Sequence, residues 1–205
     1  MAKTVLILGA TGGVGSNLYT LMRQDSTYNV VGWSSSDLDF DYPDRIFSTD
    51  LSKFDIIINC AGHNQGTYRG FLDNSWQNQL SQINVNFVAN VFLFKHYANS
   101  RKQGKYIWIS SDAIEKGRPF QAVYAGSKAA GRFTLDLAAK EASHIQILEV
   151  VIGLTKSKLR FRNFEGTKTQ DEVNATYGDN VMASEYVANK MFKILDSSET
   201  RITIV

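Results

Sequence analysis

The sequence predicts an α/β fold in which a doubly wound parallel sheet forms a single domain. Short apolar runs alternate with helical patterns along the chain, and this alternation is typical of a parallel sheet with helices on both faces. A glycine-rich turn joins the first apolar run to the first helical pattern. The 205 residues suit one domain with an ample core, so we assign residues 1–205 to a single domain.

The first predicted elements are a strand, a turn and a helix. Thr4–Leu8 is a short apolar run, as expected for a strand buried on both faces, and Gly13–Gln24 carries apolar residues at helical spacing. The turn between them predicts a dinucleotide site, because glycines let the backbone approach a pyrophosphate at a helix N-terminus. A tight turn without a ligand is the alternative. The residues predicted to bind a cofactor here are Gly9, Thr11, Gly12, Gly13, Val14 and Gly15.

Two places are open for a third strand after the second one, Asn29–Trp33. A strand at Arg45–Asp50 would leave only four residues to cross the sheet, where more than about 20 Å must be spanned. We therefore predict a short strand at Asp37–Phe40. A crossover helix over Asp44–Lys53 should follow it, with Pro43 in its first turn.

The rest of the chain continues the alternation. The remaining predicted strands are Asp55–Asn59, Lys105–Ser110, Ile145–Val151 and Arg201–Val205. The remaining predicted helices are Ser75–Ala98, Ala122–Ser143 and Ser184–Leu195. Ligands of open parallel sheets bind beyond the carboxyl ends of the strands. Asn59, Ala61 and Gly62, at the end of the Asp55–Asn59 strand, are therefore predicted to lie beside the glycine turn.

Tyr124 and Lys128 form a candidate catalytic pair. Four residues on a helix place two side chains on one face. An ammonium close to a phenol favours the phenolate and should lower the pKa of Tyr124, which would make it usable as a general acid or base. The hydroxyl of Ser111, with Ser110 as the alternative, could share the substrate oxygen.

These motifs together resemble the short-chain dehydrogenase/reductase family, over nearly the whole chain from Thr4 to Val205. The matches are the glycine turn, the run Asn59-Cys60-Ala61-Gly62, the pair Val85-Asn86 on a long helix, and the position of Ser111 thirteen residues before Tyr124. The resemblance implies a single Rossmann-type domain and a nicotinamide cofactor. It also implies a catalytic centre made of Ser111, Tyr124, Lys128 and Asn86.

The resemblance further implies a role for each of these residues. Tyr124 would donate a proton to a carbonyl oxygen, and Ser111 would hydrogen-bond that oxygen. Lys128 would bind the nicotinamide ribose and lower the pKa of Tyr124. Asn86 would hold a water linked to Lys128. Asp39 would take an adenine-side role, with a solvated turn carboxylate as the alternative.

One departure from the family lies after the Ile145–Val151 strand. Ile152-Gly153 stands where relatives usually have Pro-Gly. Gly153 and Thr155 are still expected to contact the cofactor near the nicotinamide.

The cofactor prediction depends on the end of the second strand. A carboxylate there would bind the ribose 2′-hydroxyl and repel a 2′-phosphate, but the chain has Ser34 and Ser35 and no carboxylate before Asp37. Hydroxyls and amides can accept a phosphate, so NADP(H) is favoured. NAD(H) is the alternative, because no basic residue is adjacent and Gly13 stands where NADP-preferring relatives often have one.

A substrate loop is predicted at about residues 154–182. Its first half is basic, which favours an anionic substrate such as a sugar phosphate, a nucleotide sugar or an acyl thioester. A solvated loop without a ligand role is the alternative. The cations concerned are Lys156, Lys158, Arg160, Arg162 and Lys168. The sequence ends directly after the last predicted strand, which favours a compact substrate or one completed by a neighbouring subunit.

Composition indicates few other partners. The net charge of +2 is too small to indicate nucleic-acid binding, and neither a membrane span nor a metal site is predicted. The one cysteine, Cys60, fits a reducing compartment, and no signal peptide is visible, so a cytoplasmic protein is expected. Apolar stripes on Ser75–Ala98 (Phe87, Val91, Phe94, Tyr97) and Ala122–Ser143 (Phe133, Leu137, Ala138) predict a homodimer or homotetramer.

These expectations converge on an NADP(H)-dependent oxidoreductase that reduces a small-molecule carbonyl compound or oxidises the alcohol. A regulatory protein that binds NADP(H) without turnover is one alternative. A sugar-nucleotide epimerase or reductase is another, although the short C-terminus disfavours it.

Overall fold

A computed structural model describes residues 2–65, 69–157, 164, 172 and 181–205. Its centre is a sheet of six parallel strands in the order β2-β1-β3-β4-β5-β6. The strands are β1 Lys3–Leu8, β2 Tyr28–Trp33, β3 Ile56–Asn59, β4 Gly104–Ser111, β5 Ile145–Ile152 and β6 Arg201–Ile204. Every strand thus lies within a residue or two of its predicted position, and the predicted doubly wound fold is confirmed.

Helices cover both faces of this sheet. The described helices are α1 Gly13–Arg23, α2 Trp76–Ile83, α3 Ala89–Ser100, α4 Ala113–Lys116, α5 Ala122–Glu141 and α6 Ser184–Lys193, with a 3₁₀ helix at Pro43–Ser48 and a π-helical turn at Asn84–Val88. None of the described helices is both long and apolar enough to cross a membrane.

Alternating side chains of the strands build a core on each face. In β1, Val5 and Ile7 pack with α1 and α6, whereas Leu6 and Leu8 pack with α3 and α5. The first of these cores contains Leu18 of α1 and other fully buried side chains. Burial on both faces explains why the strands appear in the sequence as uninterrupted apolar runs.

The predicted strand at Asp37–Phe40 is wrong, and its place is taken by a turn. The Asp37 carboxylate accepts hydrogen bonds from the Ser34 backbone N–H at 2.7 Å and the Ser34 hydroxyl at 2.9 Å, which folds the chain back after β2. Leu38 and Phe40 then pack into the core instead of pairing with β2. The rejection of a strand at Arg45–Asp50 agrees with the structure, since much of that segment is the 3₁₀ helix.

The long helix predicted at Ser75–Ala98 is interrupted by the π-helical turn at Asn84–Val88. Within the turn, the Asn86 side chain accepts a hydrogen bond from the His63 N–H at 2.9 Å and donates one to the His63 carbonyl at 2.7 Å. Local π-helical turns are common at functional sites, because the extra residue redirects a side chain. Here the turn directs Asn86 towards the loop after β3.

A chain of ion pairs connects α4, α5, β5 and β6. Glu149 of β5 is only 2% exposed and is paired with Arg132 of α5 at 2.7 Å and with Arg201 of β6. Arg132 also pairs with Glu115 of α4, and Arg201 pairs with Asp136 of α5 at 2.8 Å. The chain therefore links the turn that follows Ser111 to the outer strand of the sheet.

Candidate active site

A cavity of about 560 Å³ lies at the carboxyl ends of the strands, within the size range of small-molecule sites. Most of the predicted cofactor-binding residues line it: Gly9, Thr11, Gly12, Gly13, Val14, Gly15, Ser34, Ser35, Asp39, Ala61, Gly62, Tyr124, Lys128 and Thr155. Loops that the sequence places far apart therefore meet at one site.

The glycine turn lines the cavity at the N-terminus of α1. Gly9 has a φ of +74°, and a Cβ on Gly15 would lie 2.3 Å from the Gly9 carbonyl oxygen. Only glycine fits at these two positions without moving the backbone. The resulting close turn leaves the end of a helix open to the cavity, as a bound pyrophosphate requires.

The adenine-side wall differs in detail from the prediction. Ser34 and Ser35 both line the cavity, but the hydroxyl and amide of Ser34 are bonded to Asp37. Asp39 also lines the cavity, and its carboxylate accepts a hydrogen bond from the Asp41 N–H at 3.0 Å. Ser35 is thus the better placed of the two serines to receive a ligand.

Asn59 and Gly153 do not line the cavity. Asn59 is buried, donates to Asn90 Oδ1 at 3.0 Å and accepts from the Ala61 N–H at 3.1 Å. It therefore supports Ala61, which lines the cavity, without lining the cavity itself. The Gly153 N–H donates to the Ile204 carbonyl, which ties this residue to β6. Thr155 reaches the cavity, and its hydroxyl donates to the Gly153 carbonyl at 3.1 Å.

Asn86 lies behind the cavity wall rather than on it. Besides its two bonds to His63, its amide donates to the Ser127 hydroxyl at 3.2 Å. The side chain thereby fastens the loop after β3 to α5. These bonds make Asn86 a brace for the site, and its role in holding a water stays a prediction.

The catalytic candidates lie at the opposite end from the adenine-side wall. Tyr124 and Lys128 line the cavity, whereas Ser111 does not. Ser111 accepts a hydrogen bond from the Ala113 N–H at 3.2 Å. Ser110 lines the cavity as well, and no partner of its buried hydroxyl lies among the described residues. Ser110 is therefore the serine that the cavity exposes, and the role predicted for Ser111 stays a prediction.

The expected lowering of the Tyr124 pKa by Lys128 is wrong. Burial raises the pKa of Tyr124, and the Ser111 hydroxyl opposes this rise. Burial also lowers the pKa of Lys128 from 10.5 to about 8. The Lys128 ammonium donates to the Ile109 carbonyl at 2.8 Å and lies 5.8 Å from the centre of the Trp108 ring. Loss of water around both groups outweighs any attraction between them.

Several residues of the cavity were not predicted. They include Trp33, Phe40, Cys60, His63, Val85 and Ser157. Most of them adjoin a predicted residue, so the rule that ligands bind beyond strand ends could have identified them. Burial raises the pKa of Cys60 to about 12, which makes it an inert wall residue.

Most of the basic half of the substrate loop, namely Lys158, Arg160, Arg162 and Lys168, lies outside the described residues. Lys156 is described, is exposed and directly follows Thr155 on the cavity wall.

Several curated relatives are reductases. The chain is 23% identical over 211 residues to a bifunctional ribulose 5-phosphate reductase/CDP-ribitol pyrophosphorylase of Haemophilus influenzae, covering 96% of this chain but only 44% of the relative. It is 26% identical over 174 residues to an acetoacetyl-CoA reductase of Allochromatium vinosum, covering 70% of each. It is also 26% identical to a 3-oxoacyl-[acyl-carrier-protein] reductase of Rickettsia bellii, covering 98% of this chain and 92% of the relative.

Solved structures share the fold. One is a small-chain dehydrogenase in complex with NADPH, with a TM-score of 0.83, 22% identity and coverage of 100% of this chain and 97% of that one. Another is a short chain dehydrogenase of Burkholderia cenocepacia in complex with NADP, with a TM-score of 0.81, 17% identity and coverage of 98% and 96%. The family model for short chain dehydrogenases matches residues 46–168, more than half of the sequence. The chain therefore belongs to the short chain dehydrogenase family.

Proposed function

We propose that the protein is an NADP(H)-dependent oxidoreductase that reduces a small carbonyl compound, or oxidises the corresponding alcohol. The observation that carries this proposal is the joining of two features in one cavity. The cavity is lined by a glycine turn at a helix N-terminus and, in the same space, by Ser110 at the end of β4 and by Tyr124 and Lys128 of α5.

The cavity fits a dinucleotide. Its volume, its two crowded glycines and the elongated series of strand ends suit a ligand whose pyrophosphate lies between an adenosine at one end and a reactive ring at the other. When bound, a nicotinamide supplies or accepts the hydride. The remaining steps concern proton transfer and belong to the side chains of this chain.

Tyr124 is the group proposed to transfer the proton. In reduction its hydroxyl would protonate the carbonyl oxygen, while Ser111 would hydrogen-bond the same oxygen and hold it in line. A phenol is protonated at neutral pH, as a proton donor must be, but burial raises the pKa of Tyr124 and so makes it a weaker acid. Lys128, buried on the same wall, is proposed to hold a ribose hydroxyl of the cofactor.

The preference for NADP(H) is supported by the serine wall and by relatives. Ser35 presents a neutral hydroxyl where an acidic residue would repel a 2′-phosphate. Five structural neighbours contain NADP or NADPH. NADP-preferring relatives often have a basic residue at the position of Gly13. Here that position has little room for a larger side chain, since a Cβ there would lie 3.1 Å from Ser157 Cβ.

We expect Ser35→Asp to weaken NADPH binding much more than NADH binding, by roughly tenfold or more relative to wild type. The new carboxylate would repel the 2′-phosphate but could bond a 2′-hydroxyl. Titrations of both cofactors by fluorescence would measure this. Ser36→Asp is the matched control, because Ser36 carries the same change one residue outside the cavity. Equal losses for both cofactors in Ser35→Asp would contradict the assignment.

We propose an anionic carbonyl compound as substrate. The relatives named above act on a sugar phosphate and on two acyl thioesters. In the described part of the chain, Lys156 places a cation next to the cavity wall. Long-range attraction to such a cation favours an anionic ligand.

The decisive experiment is nicotinamide absorbance with a panel of carbonyl compounds, run in parallel with NADPH and NADH. The panel pairs ribulose 5-phosphate with ribulose and acetoacetyl-CoA with a neutral 3-oxoester. Turnover with NADPH and an anionic member supports the proposal. Preference for the neutral member of each pair would remove the substrate class, and tight NADPH binding without any turnover would favour a regulatory protein.

Self-association is proposed from the outer faces of α2 and α5, which lie side by side. Phe133 is 69% exposed and Trp76 is 70% exposed, and Leu80 and Leu137 are also exposed. The apolar stripe predicted on Ser75–Ala98 needs correction, because its residues Phe94 and Tyr97 are buried in the core of their own subunit. Exposed apolar side chains that are grouped on two adjacent helices, as these are, are typical of a protein–protein interface.

We expect the wild-type protein to be a dimer or tetramer at micromolar concentration and the double variant Phe133→Glu/Leu137→Glu to be a monomer, because two charges would have to be buried in the interface. Light scattering gives the masses. Tyr186→Glu on α6 is a control, since Tyr186 is exposed on the other face of the sheet. A monomeric wild type would remove this proposal.

A further inference from the structure

Ser110 carries a buried hydroxyl on the wall of the cavity that also holds Tyr124 and Lys128. The residue is only 1% exposed, and no partner of its hydroxyl lies among the described residues. A buried hydroxyl without a hydrogen bond costs free energy, because it has lost its bonds to water and gained none in return. Such a group needs an explanation, and a ligand in the cavity supplies one.

The alternation of side chains along β4 places the Ser110 side chain on the face of the sheet that α5 covers. Tyr106 and Trp108, four and two residues earlier, pack in the core with α3 and α5, whereas the isoleucines between and after them pack with α1 and α6. Ser110 still belongs to β4, so the alternation includes it. The hydroxyl therefore lies on the same side as the helix that carries the proposed catalytic side chains.

The position of β4 in the sheet assigns Ser110 to one half of a bound dinucleotide. Ser35, on the adenine-side wall, follows β2, and the strand order β2-β1-β3-β4 separates the two strands by three spacings, or about 14 Å. The Lys128 ammonium, which is proposed to hold a cofactor ribose, donates to the Ile109 carbonyl at 2.8 Å. That carbonyl belongs to the peptide group that leads into Ser110. Ser110 is thus far from the adenine-side wall and close to Lys128.

We propose that the Ser110 hydroxyl binds the nicotinamide half of the cofactor. A serine hydroxyl can donate as well as accept a hydrogen bond, and rotation about one bond directs it, so it suits a ribose hydroxyl or the carboxamide of the ring. The proposal rests on the proposed function, because it takes NADP(H) as the ligand. It makes Ser110 a residue that favours the complete dinucleotide over its adenosine half.

Ser110→Ala should weaken NADPH binding by roughly five- to tenfold, because one hydrogen bond to the ligand is lost. Binding of adenosine 2′,5′-bisphosphate, which has the adenosine and the 2′-phosphate but no nicotinamide half, should stay as in wild type. The melting temperature of the ligand-free protein should not fall, since the hydroxyl that is removed has no described partner. A hydroxyl that only supports the fold would lower the melting temperature and weaken both ligands alike.

The experiment is calorimetric titration with each of the two ligands, together with thermal unfolding of the ligand-free protein. Ser81→Ala is the matched control, because the Ser81 hydroxyl on α2 is also buried without a described partner, but Ser81 does not line the cavity. A selective loss of NADPH binding in Ser110→Ala, with none in Ser81→Ala, supports the proposal. Unchanged NADPH binding, or equal losses for the two ligands, overturns it.

These measurements are independent of turnover, so the role of Ser110 and the proposed reaction can fail separately. A wild type that binds NADPH but reduces no carbonyl compound would count against the reaction, and the titrations would still decide the role of Ser110. A wild type that does not bind NADPH would overturn both.

Discussion

Tyr124→Phe should lower turnover by about 10²–10⁴-fold while leaving the NADPH dissociation constant within a few-fold of wild type. The substitution removes only the hydroxyl that would transfer the proton. The ring and the wall of the cavity that it forms remain. Steady-state kinetics and a cofactor titration on the same preparation would measure the two effects separately.

Tyr186→Phe is the matched control for this variant, because it removes a hydroxyl from an exposed tyrosine on α6. It should behave as wild type. If Tyr124→Phe kept substantial turnover, the proton would have to come from another group, and the assignment of Tyr124 would be wrong.

Lys128→Met should abolish turnover and also make the protein more stable at neutral pH. Lys128 is only 4% exposed, and burial lowers its pKa from 10.5 to about 8. At about 1.4 kcal/mol per pKa unit, keeping this ammonium charged costs about 3 kcal/mol. Loss of the bond to the Ile109 carbonyl offsets about 1 kcal/mol. We therefore expect the free energy of unfolding to rise by about 2 kcal/mol.

The sign of the pH dependence checks this explanation. The unfolded chain keeps the Lys128 proton up to about pH 10.5, whereas the folded protein releases it near pH 8. Wild-type stability should therefore gain from this group as the pH rises from 8 to 10.5, and the advantage of Lys128→Met should shrink over the same range. Urea unfolding at several pH values would show it. Lys140→Met, at an exposed position of the same helix, should show no such change.

The strands could be predicted closely because their burial on both faces leaves apolar runs that few other structures produce. The strand at Asp37–Phe40 was wrong, because Asp37 bonds back to Ser34 and a turn forms instead. Periodicity does not show such a local bond between a side chain and the backbone. The π-helical turn at Asn84–Val88 was missed for a similar reason, since it depends on contacts between Asn86 and the distant His63 loop.

The site could be predicted where its residues follow strands or glycines. Thr155 lines the cavity as expected, and so does Ser35. The behaviour of Asn86 could not be predicted, because the partner that occupies its amide lies 23 residues away in the sequence. The pKa values of Tyr124 and Lys128 depend on how much water reaches them, which spacing along a helix does not reveal.

The ion-pair chain around Glu149 has a consequence for how this sequence can change during evolution. Removing Arg132 or Arg201 alone would leave the buried Glu149 carboxylate with one partner instead of two and so destabilise the fold, whereas replacing the whole group by well-packed apolar residues is often neutral. Single substitutions are therefore penalised and joint ones tolerated. The three positions should vary together among relatives, as one epistatic unit.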